Sequence, residues 1–398
     1  MTSNFSHQKD STTTSEELID KAEKLAAEFA STAVVRDKIG GTAKSERDSL
    51  RKSGLLNLII PAEFGGHECN WHDTLRIVRI ISRADSSMGH LFGFQHLLLA
   101  TVRLFGDQWP YYYAETVKNN YFWGNTLNPL DTRAKIAAQG QDWVIDGVKS
   151  FCSGAMDSDY LIISALPENG GKLVVAAIPT QRPGIRINAD WDNMGQRQTD
   201  SGSVDFDGVQ IYDSEILRNP GPLGSVFATL RPLIAQLVLT NIYLGIAEGA
   251  LAEALSYTRS QSRAWFLSGV ESATRDPYVL KKYGEFWVDL NAASMTTDYA
   301  ARLLDNAWRQ GNALSETDRG EVAIASATAK VLATRAGLDV TQRLFEVTGA
   351  RATNSKAGFD RFWRNLRTHS LHDPVDYKLL DLGEWVLNSK LPSPSFYS

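Results

Sequence analysis

The spacing of apolar residues predicts three consecutive blocks, in the order helical, β and helical. In residues 1–120 apolar positions recur three and four apart, following a capping box at Thr14–Glu17. Residues 121–224 hold short apolar and alternating segments bounded by Gly and Asp, which is typical of strands. Residues 225–398 return to long amphipathic helices. We therefore expect a mostly helical α+β fold with an N-terminal helical domain, a central β-barrel-like domain and a C-terminal helical bundle.

Particular segments within these blocks carry stronger patterns. Residues 143–151 have the pattern of a β-hairpin. The longest helical patterns run over 237–257, 286–308 and 319–348, and the last of these is rich in Ala. Long Ala-rich helices at the end of a chain often pack against copies of themselves, so we expect a homo-oligomer.

Composition narrows the class of protein. The 398 residues are 43% hydrophobic, which is enough for a large core divided between two or three lobes. The 41 basic and 46 acidic side chains are dispersed and give a net charge of −5, so no nucleic acid partner is expected. Cys69 and Cys152 are far apart, which favours neither a disulfide framework nor a metal site.

The chain carries no pattern that would direct it to a membrane or out of the cell. Residues 1–10 lack the basic and then apolar segments of a signal peptide. No apolar run approaches the length needed to cross a bilayer. Because the cysteine usage also fits a reducing compartment, we expect a cytoplasmic protein with no membrane partner.

Candidate functional side chains are most concentrated in residues 361–374, which contain two of the seven histidines. His369 and His372 are three apart, so on a helix they share one face, and Pro374 limits how far that helix continues. Two imidazoles side by side at a helix end suit proton handling near neutral pH. The alternative is that both are ordinary helix-face residues whose N–H groups bond nearby carbonyls.

Two further segments hold a polar residue in apolar surroundings. His90 lies between small residues and aromatics, which suits a histidine facing a cavity; a buried histidine bonded to backbone is the alternative. Asn125 comes where the helical block gives way to strands, and its amide can both donate and accept hydrogen bonds at the polar edge of a ring. The alternative for Asn125 is a connecting loop capped by asparagine.

Ser153 and Arg263 complete the candidates. A strand runs into Ser153-Gly154, where a ligand can approach the backbone closely, but no Gly-x-Ser-x-Gly elbow supports a hydrolase. Arg263 either clamps a phosphate or is a solvated arginine at a helix C-terminus. The chain has neither a dinucleotide fingerprint nor a P-loop. No carboxylate or thiol set accompanies the histidines at ligand spacing, so no metal is expected.

Four motifs occur in order along the chain: Gly89-His90-Leu91-Phe92-Gly93, Ser150-Phe151-Cys152-Ser153-Gly154, Arg197-Gln198-Thr199-Asp200-Ser201-Gly202-Ser203 and Arg367-Thr368-His369-Ser370-Leu371-His372-Asp373-Pro374. With these motifs the segment 27–398 resembles the dibenzothiophene monooxygenase family, flavin-dependent oxygenases built on the acyl-CoA dehydrogenase scaffold. The resemblance implies reduced FMN from a separate NAD(P)H-dependent flavin reductase. It also implies a C4a-(hydro)peroxyflavin formed with O₂, a small organosulfur substrate, and a homotetramer built as a dimer of dimers.

Residue roles follow from the same resemblance. His90, His369 and His372 would surround the reactive C4a–N5 edge of the flavin, with Ser153 beside N5. Arg263, from a neighbouring subunit, would hold the FMN phosphate. The full predicted cofactor site consists of Asn125, Thr126, Lys149, Phe151, Cys152, Ser153, Arg263, Ala350, Arg351 and His372.

Two departures from the family pattern bear on the substrate. Phe94 stands where dibenzothiophene oxidisers usually have tyrosine, and the loop 125–133 differs from theirs. This loop looks more like that of the methanesulfinate monooxygenase branch, and Arg133 would suit an anionic sulfinate. The predicted substrate site comprises Phe94, Arg133 and Trp191, and the expected reaction is methanesulfinate to methanesulfonate. A solvent-exposed Arg133 without this role is the alternative.

Other functions remain open from the sequence. Dibenzothiophene-type oxygenation of a sulfide or sulfoxide is the first alternative, and an N- or C-hydroxylase would share the same flavin residues. An acyl-CoA dehydrogenase needs a carboxylate base; the position of its usual glutamate aligns with Asp373, and Glu248 is another carboxylate on the helices. A catalytically silent scaffold would show no affinity for flavin.

Overall fold

The computed structural model describes residues 14–398, so the first thirteen residues of the predicted N-terminal domain lie outside the described part. The N-terminal domain is helical, as predicted, and its capping box is confirmed. Thr14 Oγ1 accepts from the backbone N–H of Glu17 at 3.3 Å, and the Glu17 carboxylate accepts from Thr14 N at 2.9 Å. Its helices are α1 (Ser15–Ala30), α2 (Ala33–Ile39), α3 (Lys44–Ser53), α4 (Trp71–Ala84), α5 (Ser86–Phe105) and α6 (Trp109–Asn119).

The central domain is a seven-stranded sheet with mixed pairing, in the order β1-β4-β2-β3-β7-β6, with β5 paired to β4. Its apolar inner face forms a core of its own, separate from the core of the helices. The strands are β1 (Trp123–Thr126), β2 (Lys135–Gln139), β3 (Asp142–Lys149), β4 (Tyr160–Pro167), β5 (Val174–Pro179), β6 (Ile185–Ile187) and β7 (Val204–Ile211).

The hairpin predicted over 143–151 is wrong, because β3 runs through it as one strand. The Asp-Gly pair inside the segment makes a bulge rather than a turn: the register with β7 shifts between Ile145 and Gly147. A Cβ on Gly147 would lie 2.2 Å from the carbonyl oxygen of Arg133, and its φ is +119°. The glycine therefore serves a close backbone approach, while the true hairpin joins β2 to β3.

The C-terminal domain is a bundle of α7 (Leu230–Ser260), α8 (Pro277–Gln310), α9 (Glu316–Thr348), α10 (Asp360–Ser370) and α11 (Val375–Asn388). The three long helices were predicted: α7 and α8 extend beyond the prediction at both ends, while α9 begins earlier and ends at Thr348 as predicted. Caps explain two of the true starts. Asp276 accepts from the N–H of Tyr278 at 2.9 Å and precedes α8, and Ser315 accepts from Asp318 N at 3.0 Å and precedes α9.

α7 is the central helix of the molecule. By length and composition it could span a membrane, which corrects the expectation that no apolar run approaches that length; 94% of its most apolar window is buried inside the protein. Two glycines let it approach α4 closely. A Cβ on Gly245 would lie 2.5 Å from the carbonyl oxygen of Arg79, and one on Gly249 would lie 2.2 Å from that of Arg83. This contact fixes α4, and with it the start of α5, against the bundle.

Candidate active site

The centre of the candidate site is a pair of buried histidines from different domains. His90 lies in α5 and His369 in the last turn of α10, and their side chains meet with His90 Nδ1 2.8 Å from His369 Nε2. Phe94, one turn along α5, stacks on His90 with ring centroids 4.0 Å apart. On the other side, the Tyr243 hydroxyl donates to the carbonyl oxygen of His369 at 2.9 Å.

Both rings are neutral near pH 7. Burial lowers the pKa of His90 to about 3, and burial together with the neighbouring His90 holds the pKa of His369 well below its usual range. One nitrogen of each ring is used in the bond between them. The other two, His90 Nε2 and His369 Nδ1, are buried and have no partner within residues 14–398. Buried polar atoms left open in this way mark a place where a ligand or water would be bonded.

A loop from the β domain lies against the same stretch of α5. Gly154 has φ +73°, and a Cβ on it would lie 3.1 Å from Cδ2 of Leu91, the residue after His90. Ser153 shares a hydrogen bond with Ser201 at 2.7 Å, and its carbonyl accepts from Asn125 N at 3.0 Å. Asn125 and Ser153 are both buried. The structure thus brings the predicted residues His90, Asn125 and Ser153 to the junction of the first two domains.

His372 is placed differently from the prediction that both histidines share a helix face. α10 ends at Ser370, so His369 lies inside the helix and His372 lies in the turn that follows it. The His372 side chain is 39% exposed, and its Nδ1 is 3.0 Å from Asp373 Oδ1. The pairing predicted from spacing is therefore wrong in detail, because the helix stops before the second histidine.

His372 lines a cleft of about 440 Å³ between the α10–α11 turn, α11 and the C-terminal segment. Leu130, from the loop 125–133 that the sequence singled out, lines the same cleft. Pro374 and Tyr397 contribute apolar and aromatic surface beside the imidazole. A small molecule in this cleft would contact His372 and the loop together.

Three of the residues predicted for a cofactor site have side chains committed to the protein interior. Thr126 Oγ1 donates to the carbonyl of Ile162 at 3.0 Å. The fully buried Lys149 donates its ammonium to the backbone carbonyls of the loop 128–131. Cys152 is buried in the core of the β domain, where burial raises the pKa of its thiol to about 12. If Thr126, Lys149 and Cys152 contact a cofactor, they would do so through backbone atoms. Their roles in binding it stay predictions.

The remaining predicted substrate and rim residues lie at the surface of the β domain. Arg133 is 54% exposed and bonds Asp131 at 2.7 Å, and its hydrogen bond lowers the pKa of Asp131 to about 2. Phe151 is exposed with φ +60° and meets Trp191 edge to face, with centroids 6.0 Å apart. An anion bound at Arg133 would share the guanidinium with Asp131. The role of Arg133 in binding an anionic substrate therefore also stays a prediction.

A second group of predicted residues lies at the far ends of α7 and α9. Arg263 is exposed in the loop after α7, and within the described chain it has no salt-bridge partner. The same loop is tied to the end of α9: Ser262 Oγ donates to the carbonyl of Thr348 at 3.0 Å, and Arg351 donates to that of Gln261 at 2.6 Å. The structure therefore brings Arg263, Ala350 and Arg351 together, apart from the histidine pair of the same chain.

The sequence analysis missed a buried ion pair behind His372. Lys330 of α9 bonds Asp373, and Gln236 of α7 bonds both of them. Asp373 had been considered only as the possible base of a dehydrogenase. The available signal was Lys330 itself, a single lysine in the alanine-rich face of a helix. Within residues 14–398 no group of three or more His, Cys, Asp and Glu is arranged to hold a metal ion.

Comparison with protein families gives matches along the chain to the acyl-CoA dehydrogenase models. The N-terminal domain model matches residues 12–109, the middle domain model residues 123–209 and the C-terminal domain model residues 237–377. These three models together cover well over half of the sequence.

Individual relatives are similar over almost the whole chain. The "probable FMNH2-dependent monooxygenase SfnC" of Pseudomonas putida is 57% identical over 381 residues, 95% of this chain and 96% of the relative. The structure of methanesulfinate monooxygenase MsuC from Pseudomonas fluorescens superposes with a TM-score of 0.95 at 56% identity, covering 96% of this chain and 99% of that one. FMN-bound TdsC, a dibenzothiophene monooxygenase from Paenibacillus sp. A11-2, gives a TM-score of 0.91 at 43% identity, covering 96% and 100%.

Proposed function

Because this chain belongs to the acyl-CoA dehydrogenase family and, within it, to the FMNH₂-dependent monooxygenases, we propose that it oxygenates methanesulfinate to methanesulfonate. The protein is a flavin-dependent monooxygenase of organosulfur compounds that uses reduced FMN and O₂. The observation that carries the substrate proposal is the 56% identity to MsuC over 96% of the chain, compared with 43% to TdsC.

The residues present fit a flavin ring. His90 Nε2 and His369 Nδ1 are buried polar atoms without partners, and Gly154 at positive φ leaves bare backbone beside Ser153. Asn125 and Ser153 would hold the polar edge of the ring, and Arg263 of a second copy would hold the phosphate. When bound, reduced FMN supplies the electrons that activate O₂.

The protein's own contribution is dryness, orientation and proton handling. Phe94 and Leu91 are buried beside His90 and exclude water from its ring. The neutral histidine pair places one N–H and one bare nitrogen at its two outer ends, so it can donate to one group while accepting from another. His372, at the edge of the cleft, is placed to exchange a proton with solvent or substrate.

The acyl-CoA dehydrogenase alternative is not favoured by the geometry. The carboxylate at the base position, Asp373, is buried and neutralised by Lys330. Glu248 lies beside Arg79, and burial raises its pKa, but it is on the α4 side of α7. Asp373 lines the cleft but is paired with Lys330, and Glu248 does not line it, so neither carboxylate is a free base there.

The arrangement of copies and the reductase are part of the same proposal. Large apolar side chains are exposed on α8 and α11, including Trp287, Val288, Val386 and Leu387, and a homotetramer built as a dimer of dimers would cover them. Such packing would also bring Arg263 of one copy to the flavin of another. A separate NAD(P)H-dependent flavin reductase would deliver reduced FMN, and the cytoplasm supplies NADH.

A coupled assay tests the proposed function. FMN, NADH and a flavin reductase are supplied in air with methanesulfinate or dibenzothiophene, and products are followed by NMR and chromatography against an enzyme-free control. Enzyme-dependent methanesulfonate is expected. Formation of dibenzothiophene sulfone alone would replace the sulfinate proposal by the polycyclic one. If neither product forms, both substrate proposals fail.

Replacing Ser153 by alanine is expected to raise hydrogen peroxide released per substrate oxidised by about 2- to 10-fold, the range for one lost hydrogen bond. Peroxidase-coupled detection and product analysis on the same samples give the ratio. Ser158→Ala is the matched control, since Ser158 is an equally buried serine of the same domain bonded to Thr180. Equal ratios in both variants would remove Ser153 from the flavin edge.

Replacing Arg263 by alanine is expected to weaken FMN binding by about 10- to 100-fold, because hydrogen bonds to a charged group contribute about 1.5–3 kcal/mol. Fluorescence titration with FMN measures the change. Arg259→Ala, an exposed arginine one turn earlier, is the control and should bind as the unmodified protein does. Unchanged affinity in Arg263→Ala would mean that another group holds the phosphate.

A further inference from the structure

Behind His372, helices α7 and α9 place side chains around a single carboxylate, which His372 contacts from the turn after α10. Asp373 is buried in the turn between α10 and α11. Its Oδ1 accepts from the ammonium of Lys330 in α9 and lies 3.0 Å from His372 Nδ1. Its Oδ2 accepts from Gln236 Nε2 in α7 at 3.3 Å. Both oxygens are thus occupied, and the carboxylate cannot turn without breaking a bond.

The charge balance of this cluster keeps Asp373 ionised. Burial alone would raise the pKa of Asp373, but the hydrogen bond from His372 and the charge of Lys330 outweigh it, and the pKa lies well below its usual range. The side chains of Lys330 and Asp373 are 1% and 8% exposed. A buried ion pair of this kind contributes little net stability compared with apolar packing, so stability alone does not account for it.

His372 and Asp373 both line the cleft, but His372 is the more exposed of the two, with 39% of its side chain exposed against 8% for Asp373. A carboxylate oxygen accepts hydrogen bonds and does not donate them, so at 3.0 Å from Asp373 the Nδ1 of the neutral imidazole carries the proton. Nε2 is then the bare nitrogen, and within the described chain it has no hydrogen-bond partner. The carboxylate therefore determines which nitrogen of the imidazole can accept a proton.

We propose that Lys330 and Asp373 are positioning residues for His372. Lys330 holds the Asp373 carboxylate in place, and Asp373 holds the imidazole with its proton on Nδ1. Nε2 is then the nitrogen that can accept a proton from a molecule in the cleft. The proposal rests on the proposed function for its catalytic meaning. Its geometric content, the proton position on His372, holds independently of any substrate. Gln236 completes the cluster by bonding both charged partners.

The first experiment observes the proton directly. Protein labelled with ¹⁵N in its histidine rings is examined by NMR at about pH 7.5, and the His372 signals are assigned by their absence in His372→Ala. In the unmodified protein the shifts are expected to show N–H at Nδ1 and a bare Nε2. In Asp373→Leu, which leaves Nδ1 without this acceptor, the form with N–H at Nε2 is expected to appear. An unchanged proton position in Asp373→Leu overturns the proposal.

Asp373→Leu leaves the Lys330 ammonium buried without a counter-ion, which lowers stability, so a second variant is needed. Lys330→Met/Asp373→Leu removes both charges and leaves no buried ion unpaired. It lacks the carboxylate all the same, so the altered proton position on His372 is expected there as well. Lys330→Arg, which keeps the positive charge, should preserve the original proton position.

The second experiment asks whether Asp373 acts through His372. Product formed per reduced flavin should fall by about 10- to 100-fold in Lys330→Met/Asp373→Leu, the range for groups that orient a functional histidine. Added to His372→Ala, the same two changes should have no further effect, since their target is already gone. An equal additional loss in that background would show a purely structural role and overturn the proposal.

A matched control and the unmodified enzyme separate the possible failures. Arg182 and Glu215 form a comparably sheltered ion pair in the β domain, with side chains 12% and 14% exposed. Glu215→Gln should leave both the His372 signals and the product yield unchanged. If the unmodified enzyme forms no oxygenated product while the NMR result holds, the proposed function fails and the positioning of His372 stands.

Discussion

Replacing His372 by alanine is expected to lower oxygenated product per NADH by about 10²- to 10⁴-fold, the range for loss of a positioned acid or base. The reason is geometric: His372 is the imidazole that reaches the cleft, and its Nδ1 is already bonded to Asp373. Product analysis in the coupled assay gives the yield, and FMN titration with thermal unfolding shows that the folded protein is intact.

The chain offers a close control for this change. His72 also has its Nδ1 near the carboxylate of the next residue, 3.2 Å from Asp73, and its side chain is 27% exposed. It lies at the start of α4, away from the cleft. His72→Ala should therefore keep full product yield, and full yield in His72→Ala and His372→Ala alike would remove His372 from catalysis.

Replacing Lys330 by methionine is expected to lower the free energy of unfolding by about 3–5 kcal/mol, because it leaves the buried carboxylate of Asp373 without its counter-ion. Gln236 would remain as its main neutral partner in the bundle. Urea unfolding, at equal protein concentration for every variant since copies associate, measures the difference.

Two controls identify the origin of the loss. Lys330→Met/Asp373→Leu removes both charges and should recover most of the stability, since well-packed apolar residues often replace a buried ion pair without cost. Lys282→Met breaks the partly exposed pair with Glu346 and should change stability by less than about 1 kcal/mol. A loss in Lys330→Met no larger than in Lys282→Met would mean that water reaches Asp373.

The sequence predicted the order of the domains and the long helices because these depend on local periodicity. α8 and α9 begin before their predicted starts because capping residues, not apolar spacing, set where they begin. The hairpin predicted over 143–151, a segment that contains Asp146-Gly147, was wrong for a related reason. The same dipeptide serves a tight turn or a bulge, and the choice depends on which strand lies opposite.

The candidate site shows more clearly what local sequence patterns cannot predict. His90, Ser153 and His369 were each identified from their own segments, but the bond between His90 and His369 joins residues 279 positions apart. Local spacing instead suggested that His369 acts with His372, and the end of α10 at Ser370 separates them. The Lys330–Asp373 pair spans 43 positions and depends on how α9 packs beneath the α10–α11 turn. No periodic pattern contains that information.

Because His90 and His369 are joined by a direct hydrogen bond, the tautomers of the two rings depend on the direction of the previous proton transfer. Two neutral rings joined by one bond have two arrangements, and each has a bare nitrogen at one outer end and an N–H at the other. When the bare nitrogen takes up a proton and the far nitrogen releases one, a proton has passed through the pair and both rings are again neutral. Each ring then carries its proton on the other nitrogen. The next proton can then travel only in the opposite direction. A catalytic cycle that uses this pair must therefore contain two transfers of opposite sense, or a rotation of both rings, before it can repeat.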